Sequence, residues 1–135
     1  MKVLVDTSVW SLAFRRKKVE AGAVVMELRE LIQESRSCLV GPIRQELLSG
    51  IFIPDQSEKL RLKLRAFPDE SLTTRDFELA ASCFIECRAA GIQGSNTDFV
   101  LCAFSLERDI PVFTTDNDFE LYSAKLGVKL HRPRN

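Results

Sequence analysis

Residues Lys2-Val3-Leu4-Val5 form a short apolar run that ends in Asp6-Thr7-Ser8 and leads into a second apolar segment at Val9-Trp10. A continuous Val/Leu stretch closed by residues that start helices predicts a strand buried on both faces and feeding directly into a helix. That unit opens a parallel α/β sheet. Asp6 then stands at the carboxyl end of the strand, the edge at which open parallel sheets bind their ligands. A carboxylate buried there costs several kcal/mol unless it is paired or metal-bound. The alternative is that Asp6 only caps the following helix.

The same alternation of strand and helix continues along the chain. Apolar positions Val24, Val25, Leu28, Leu31 and Ile32 recur at helical spacing within 19–34, with Glu27, Glu30 and Glu34 expected outward. Ser37-Cys38-Leu39-Val40 predicts a second buried strand. Gly41-Pro42 opens a helix over 43–49 that carries Glu46 and stops at Gly50. Segment 51–66 places Leu60, Leu62 and Leu64 among Lys and Arg, a pattern that fits a charged helix or a strand. After Pro68, Ser71-Leu72-Thr73 leads into a long helix to about Ala90, ended by Gly91, so a helical hairpin appended to the sheet is expected. Gly94-Ser95-Asn96-Thr97 starts a helix with Asp98 in its first turn. Residues 111–115 form the next strand, closed by Asp116-Asn117-Asp118, and a last strand is expected at 128–130. The fold class is α/β: a three-layer α/β/α Rossmann-like sandwich with a central parallel sheet, formed by a single domain over residues 1–135.

Composition narrows the function classes. The 135 residues are 45% hydrophobic with zero net formal charge, so no global positive field argues for nucleic acid. The halves differ: residues 1–66 hold 12 basic against 8 acidic side chains, and residues 67–135 hold 7 against 11. A basic segment and an acidic cluster on one small domain suit an enzyme that cuts a polyanion with the help of cations. No apolar run approaches the length of a membrane span and no signal-peptide pattern opens the chain, which predicts a cytoplasmic protein. Cys38, Cys83, Cys87 and Cys102 form no C-x-x-C pair and are expected as core thiols.

Four acids are expected near one edge of the sheet: Asp6, Glu46, Asp98 and Asp116, with Asp118 close behind. Strands ending in Asp6 and Asp116 bring those carboxylates about one strand spacing of ~4.8 Å apart if they are neighbours. Like charges so close require protonation of one of them or neutralisation by divalent cations. All-oxygen ligands select Mg²⁺ or Mn²⁺, whereas zinc would want His or Cys, and the single histidine, His131, cannot build such a site. It also leaves hydrolytic triads with one candidate base, in a polar tail. Gly91-Ile92-Gln93-Gly94 lacks the length and the Lys of a phosphate-binding loop. Carboxylates around such ions serve phosphoryl chemistry, in which one ion generates a hydroxide and a second, ~3.5–4 Å away, stabilises the leaving oxygen.

Val-Leu-Val-Asp6-Thr7-Ser8-Val, the lone Glu46 after the second strand, Asp98 opening an apolar helix, and Thr114-Thr115-Asp116-Asn117-Asp118-Phe119 together resemble the PIN-domain ribonucleases, and among them VapC-type toxins of toxin–antitoxin pairs. The likeness spans the chain from Met1 to the last strand. It implies Mg²⁺- or Mn²⁺-dependent cleavage of RNA, homodimers and inhibition by a cognate antitoxin protein. By position it implies Asp6 and Asp98 as principal metal ligands, Asp116 as a further ligand, and Glu46 as a ligand or water-orienting acid. Asp118 would be accessory, and Thr7, Ser8 and Thr114 would hydrogen-bond the acids. Gln93, Gly94, Ser95 and Asn96 stand where basic groups often precede the third acid, leaving Arg15 through Lys18 for RNA. Two other readings compete: a PIN-fold module that binds RNA or protein without turnover, and a phosphatase using Asp6, which would want a second Asp where Ser8 stands.

Overall fold

The computed structural model describes residues 1–14 and 22–134. The basic run Arg15–Lys18 lies outside the described residues. Strand β1 (Val3–Val5) is at the centre of the sheet, all three of its residues fully buried. It pairs in parallel with β2 (Ser37–Val40) on one side and β4 (Val112–Phe113) on the other. β3 (Asp69–Glu70) extends the sheet beyond β2, giving the order β3-β2-β1-β4. Burial of apolar side chains such as Leu4, at ~1.5–3 kcal/mol each, makes this short strand the anchor of the fold.

The helices are α1 (Thr7–Phe14), α2 (Ala23–Gln33), α3 (Gly41–Ser49), α4 (Pro54–Leu64), α5 (Thr74–Ala89), α6 (Asn96–Arg108) and α7 (Asp118–Leu126). Trp10 of α1 is fully buried, donates its indole N–H to the Val5 carbonyl at 3.0 Å and packs edge-on against Phe67. α6 is the most deeply embedded helix, buried continuously from Phe99 to Ser105. The four cysteines are buried and free, as core thiols should be, and desolvation pushes Cys38 up to about 12. Among the described residues no helix is long and apolar enough to cross a membrane.

Several local expectations change. Segment 54–64 is helical. Leu60 and Leu64, four residues apart, are buried, while Leu62 is exposed, so the alternation of leucines did not mark a strand. Asp69–Glu70, between Pro68 and the long helix, where no element was expected, is the edge strand β3. Its charges are matched by Arg44 on Asp69 at 2.8 Å and Lys2 on Glu70 at 2.6 Å. β3 therefore stands between α4 and α5 in the chain, and the main packing partner of α5 is α6. The strand expected at 128–130 reduces to a single bridge between Val112 and Leu130, held by Val112 N–H on Lys129 O and His131 N–H on Val112 O.

Glu27, expected on the outer face of α2, is buried. His131 Nε2 lies 2.5 Å from its Oε2, and Arg134 Nε reaches both of its oxygens at 3.0 Å. The polar tail crosses back over α2, and pairing compensates the desolvation of that carboxylate. Ile32, expected on the apolar face within 19–34, is exposed instead.

Candidate active site

The register Val5↔Phe113 sets the geometry of the site. The two central strands end level with each other, so Asp6 and Thr114, the next residues, are side by side at the carboxyl edge. Thr114 Oγ1 and Ser8 Oγ both donate to Asp6 Oδ2 at 2.8 Å. Asp6 is 7% exposed, and its carboxylate is engaged by these hydroxyls while its main-chain oxygen accepts the first amides of α1. Capping is thus the work of its backbone, leaving the side chain aimed along the edge.

The same hydroxyls organise the segment after β4. Ser8 Oγ accepts from Thr115 N–H at 3.0 Å, and Thr114 Oγ1 accepts from Asp116 N–H at 3.0 Å. Asp116 Oδ1 in turn accepts from Asp118 N–H at 2.9 Å, which starts α7. Asp118 itself is exposed.

Asp98 arrives from the opposite wall. Ser95 caps α6, and the pair forms a reciprocal capping box, with Asp98 N–H on Ser95 Oγ at 3.1 Å. Tyr122 of α7 donates its hydroxyl to Asp98 Oδ2 at 2.9 Å. Desolvation raises the Asp98 pKa above the ordinary carboxylate range, and the negative charges of Asp116 and Asp6 push it the same way, against the opposing pull of the Tyr122 hydrogen bond. The three aspartates from β1, α6 and the end of β4 therefore share one electrostatic field.

Glu46 stands further along the edge. It lies in the second turn of α3, not the first, is exposed, and its Oε1 accepts from Thr7 Oγ1 at 2.7 Å. Through Thr7 it borders Asp6. Among the described residues none of these four acids is paired with a Lys, Arg or His side chain.

Nothing in the sequence signals the role of Tyr122, and Gly94 stands in it only as part of a helix start. Tyr122 is fully buried between the rings of Phe99 and Phe119, with only its hydroxyl serving Asp98. Gly94 makes room for it. A Cβ at that position would lie 2.3 Å from the Tyr122 hydroxyl oxygen and 2.9 Å from two ring carbons of Phe99. Gly94→Ala is expected to cost ~1–3 kcal/mol of overpacking, read as a lower denaturant midpoint at unchanged slope. Substitution of Tyr122 by Phe retains the packing and frees the Asp98 carboxylate from its tether.

A larger, apolar cavity of about 480 Å³ lies between α5 and α6, lined by Phe77, Phe84, Ile85 and Phe99 among others. None of the acids lines it.

The PIN domain profile matches residues 3–125, which covers both central strands and all of the acids described above. The chain belongs to the PIN-domain family. Solved structures share this PIN fold over nearly its whole length. FitAcB from Neisseria gonorrhoeae aligns with a TM-score of 0.78 at 20% identity, covering 97% of each chain. DNA-bound VapBC from Salmonella typhimurium gives 0.78 at 17% identity, again over 97% of each. VapBC-5 from Mycobacterium tuberculosis, a toxin–antitoxin family member, gives 0.69 at 18% over 97% of this chain and 98% of that one. No curated protein matches in sequence.

The donor set of this PIN domain is carboxylate and hydroxyl oxygen throughout, which fits a hard divalent cation and no softer one. Among the described residues no three His, Cys, Asp or Glu side chains are gathered closely enough to grip an ion as they stand. The hydroxyl and amide bonds on Asp6, Asp98 and Asp116 hold the carboxylates as a spaced set instead. Desolvation first, and the charges of Asp116 and Asp6 after it, raise the Asp98 pKa, and a cation would offset both.

Proposed function

We propose that this PIN domain is a divalent-ion-dependent endoribonuclease, hydrolysing RNA phosphodiester bonds as the toxin of a toxin–antitoxin pair. The observation that carries the reading is the convergence of Asp6, Asp98 and Asp116 in one field at the carboxyl edge, with no side-chain cation from the described chain to offset them. Asp6, Asp98 and Asp116 would hold Mg²⁺ or Mn²⁺, with Glu46 as a further ligand or as the acid that orients the attacking water. When bound, the ion supplies charge neutralisation and a water of lowered pKa.

The chain's own residues do the positioning. Ser8 and Thr114 both hold Asp6 Oδ2 and so set the orientation of that carboxylate. Tyr122 fixes Asp98 Oδ2, and Thr114 fixes the backbone that carries Asp116. Such hydrogen-bonded support holds a carboxylate set in place without reorganisation at the moment of reaction.

A cognate antitoxin protein and a homodimeric state belong to the same proposal. Their support is the sequence resemblance and the fold shared with solved structures described as toxin–antitoxin complexes. A cytoplasmic location follows from that role.

The test is incubation of the purified chain with single-stranded RNA, with Mg²⁺, with Mn²⁺ and with excess EDTA. Cleavage is expected with either ion and none with EDTA. Asp6→Asn should fold and fail to cleave. Cleavage undiminished in that variant removes the mechanism. Binding of RNA without any cleavage favours the second reading, a binding module, which draws on the spaced arrangement of the acids.

A further inference from the structure

Asp116 also lines a cavity of about 240 Å³, closed on its far side by the tail residues His131, Arg132 and Pro133. Whatever occupies this cavity therefore adjoins the acids. Its volume falls below the ~300–1,000 Å³ of sites for drug-sized ligands and suits a single ring system.

Its described lining does not favour a phosphate. Arg132 pairs with Glu120 at 2.7 Å and His131 with Glu27 at 2.5 Å, and Asp116 and Glu120 add negative charge, so among the described residues the lining presents no surplus cation. The rest of the lining is amphipathic. Val24, Phe113 and Pro133 are apolar, while Asn117 brings a carboxamide that makes no capping bond to α7 although it stands at the cap position. A primary amide left free in this way offers a donor and an acceptor together, the pair that reads the edge of a base. A neutral heteroaromatic ring with a hydrogen-bonding rim matches this combination of surfaces.

We infer that the cavity between the end of β4 and the C-terminal tail is a nucleobase subsite. It takes the base of a nucleotide adjoining the phosphodiester presented to Asp6, Asp98 and Asp116. Val24, Leu130 and Pro133, the partly exposed apolar residues of the lining, contact the ring and Asn117 reads its edge. The inference rests on the ribonuclease reading, and it makes cleavage dependent on one flanking base.

The experiment measures binding of fluorescein-labelled single-stranded RNA hexamers, each with one abasic position, to the full chain carrying Asp98→Asn, which binds without turnover. One position should weaken binding roughly tenfold when its base is removed, the lower end of what a side-chain amide on a base edge discriminates. Val24→Phe, which fills the cavity from α2 and touches none of the acids, should abolish that position-specific penalty. In the otherwise native chain it should raise KM for RNA with kcat retained. Asn117→Ala should reduce the same penalty, and it decides the matter if Val24→Phe fails to fold. The subsite is overturned if the native chain cleaves RNA while no position is sensitive, or if the penalty survives in both variants. A native chain that neither binds nor cleaves RNA overturns the ribonuclease reading itself, and the subsite with it.

Discussion

Asp98→Asn is expected to abolish ion-dependent RNA cleavage while leaving the thermal midpoint unchanged or higher. The loss follows from removing one charge of the set that would hold the ion. Charge stabilisation of that kind is worth several kcal/mol, and at 1.36 kcal/mol per tenfold this amounts to a hundredfold to a thousandfold or more in rate, taken roughly. The gain in stability has the opposite origin. Desolvation and the charges of Asp116 and Asp6 all disfavour the ionised Asp98, so the native carboxylate is held at a cost to the metal-free fold.

The isosteric amide removes that cost with little loss of bonding. Both Tyr122 Oη and Ser95 N–H point at the same oxygen, Oδ2, so the single oxygen of Asn can accept both. Its NH₂ then replaces Oδ1, which accepts no hydrogen bond among the described residues. Unfolding followed by circular dichroism, alongside a cleavage assay in Mn²⁺, reads both arms. A variant that cleaves as well as the native chain would remove Asp98 from the reaction. A variant that loses more than about 1 kcal/mol would show that its charge serves the fold.

Much of the placement of the candidate acids could be read from the chain. Asp6 directly follows the apolar run of β1, and the parallel alternation of strand and helix brings the segment after β4 to the same edge. The strand expected to end in Asp116 stops at Phe113, so Thr114 stands beside Asp6 and Asp116 follows two residues on. Asp98 follows Ser95 at the spacing of a capping box, a local signal for a helix start on the same side. These are short-range patterns, and the fold only had to align them. What the chain did not display is long-range. β3 is two charged residues, and only pairing with Leu39 and Val40 of β2 makes a strand of them. Glu27 has the sequence context of a solvent-facing acid. It is buried because residues more than a hundred positions later return to cover it. Tyr122 reads as one more apolar position of α7, and its hydroxyl acquires a role only because Gly94 leaves the space that brings it onto Asp98.

The second large effect lies away from the acids, at Asp76. Its side chain is completely buried at the start of α5, where it closes a capping box with Thr73. Arg108, at the end of α6, grips both of its oxygens at 2.7 and 2.8 Å and lies over the Phe104 ring, 4.0 Å from its centroid. The pair ties the start of one helix to the end of the other, and α6 carries Asp98 at its opposite end. Asp76→Ala removes the cap, worth ~1 kcal/mol. It also strands a guanidinium that is largely covered by protein. Removing one partner of such a pair typically costs ~3–5 kcal/mol. Against a total of ~5–15 kcal/mol for a domain, that is a third or more of the stability.

Acid titration of the fold should show the same pair. The Arg108 hydrogen bonds hold the Asp76 pKa down to about 2 from an ordinary value of 3.8. A depressed acid stabilises the fold fully above its unfolded pKa and loses that contribution as pH falls through the interval from about 4 to about 2. The native chain should therefore lose stability steeply across that interval, and Asp76→Ala should lose less over it. Denaturant midpoints at pH 7 and pH 3 measure the difference. Replacing both residues together, Asp76→Leu with Arg108→Leu, should recover part of the loss because neither charge is then left buried alone. If the double variant is as unstable as Asp76→Ala, the cost comes from the cap and the packing around it, and the ion pair contributes little.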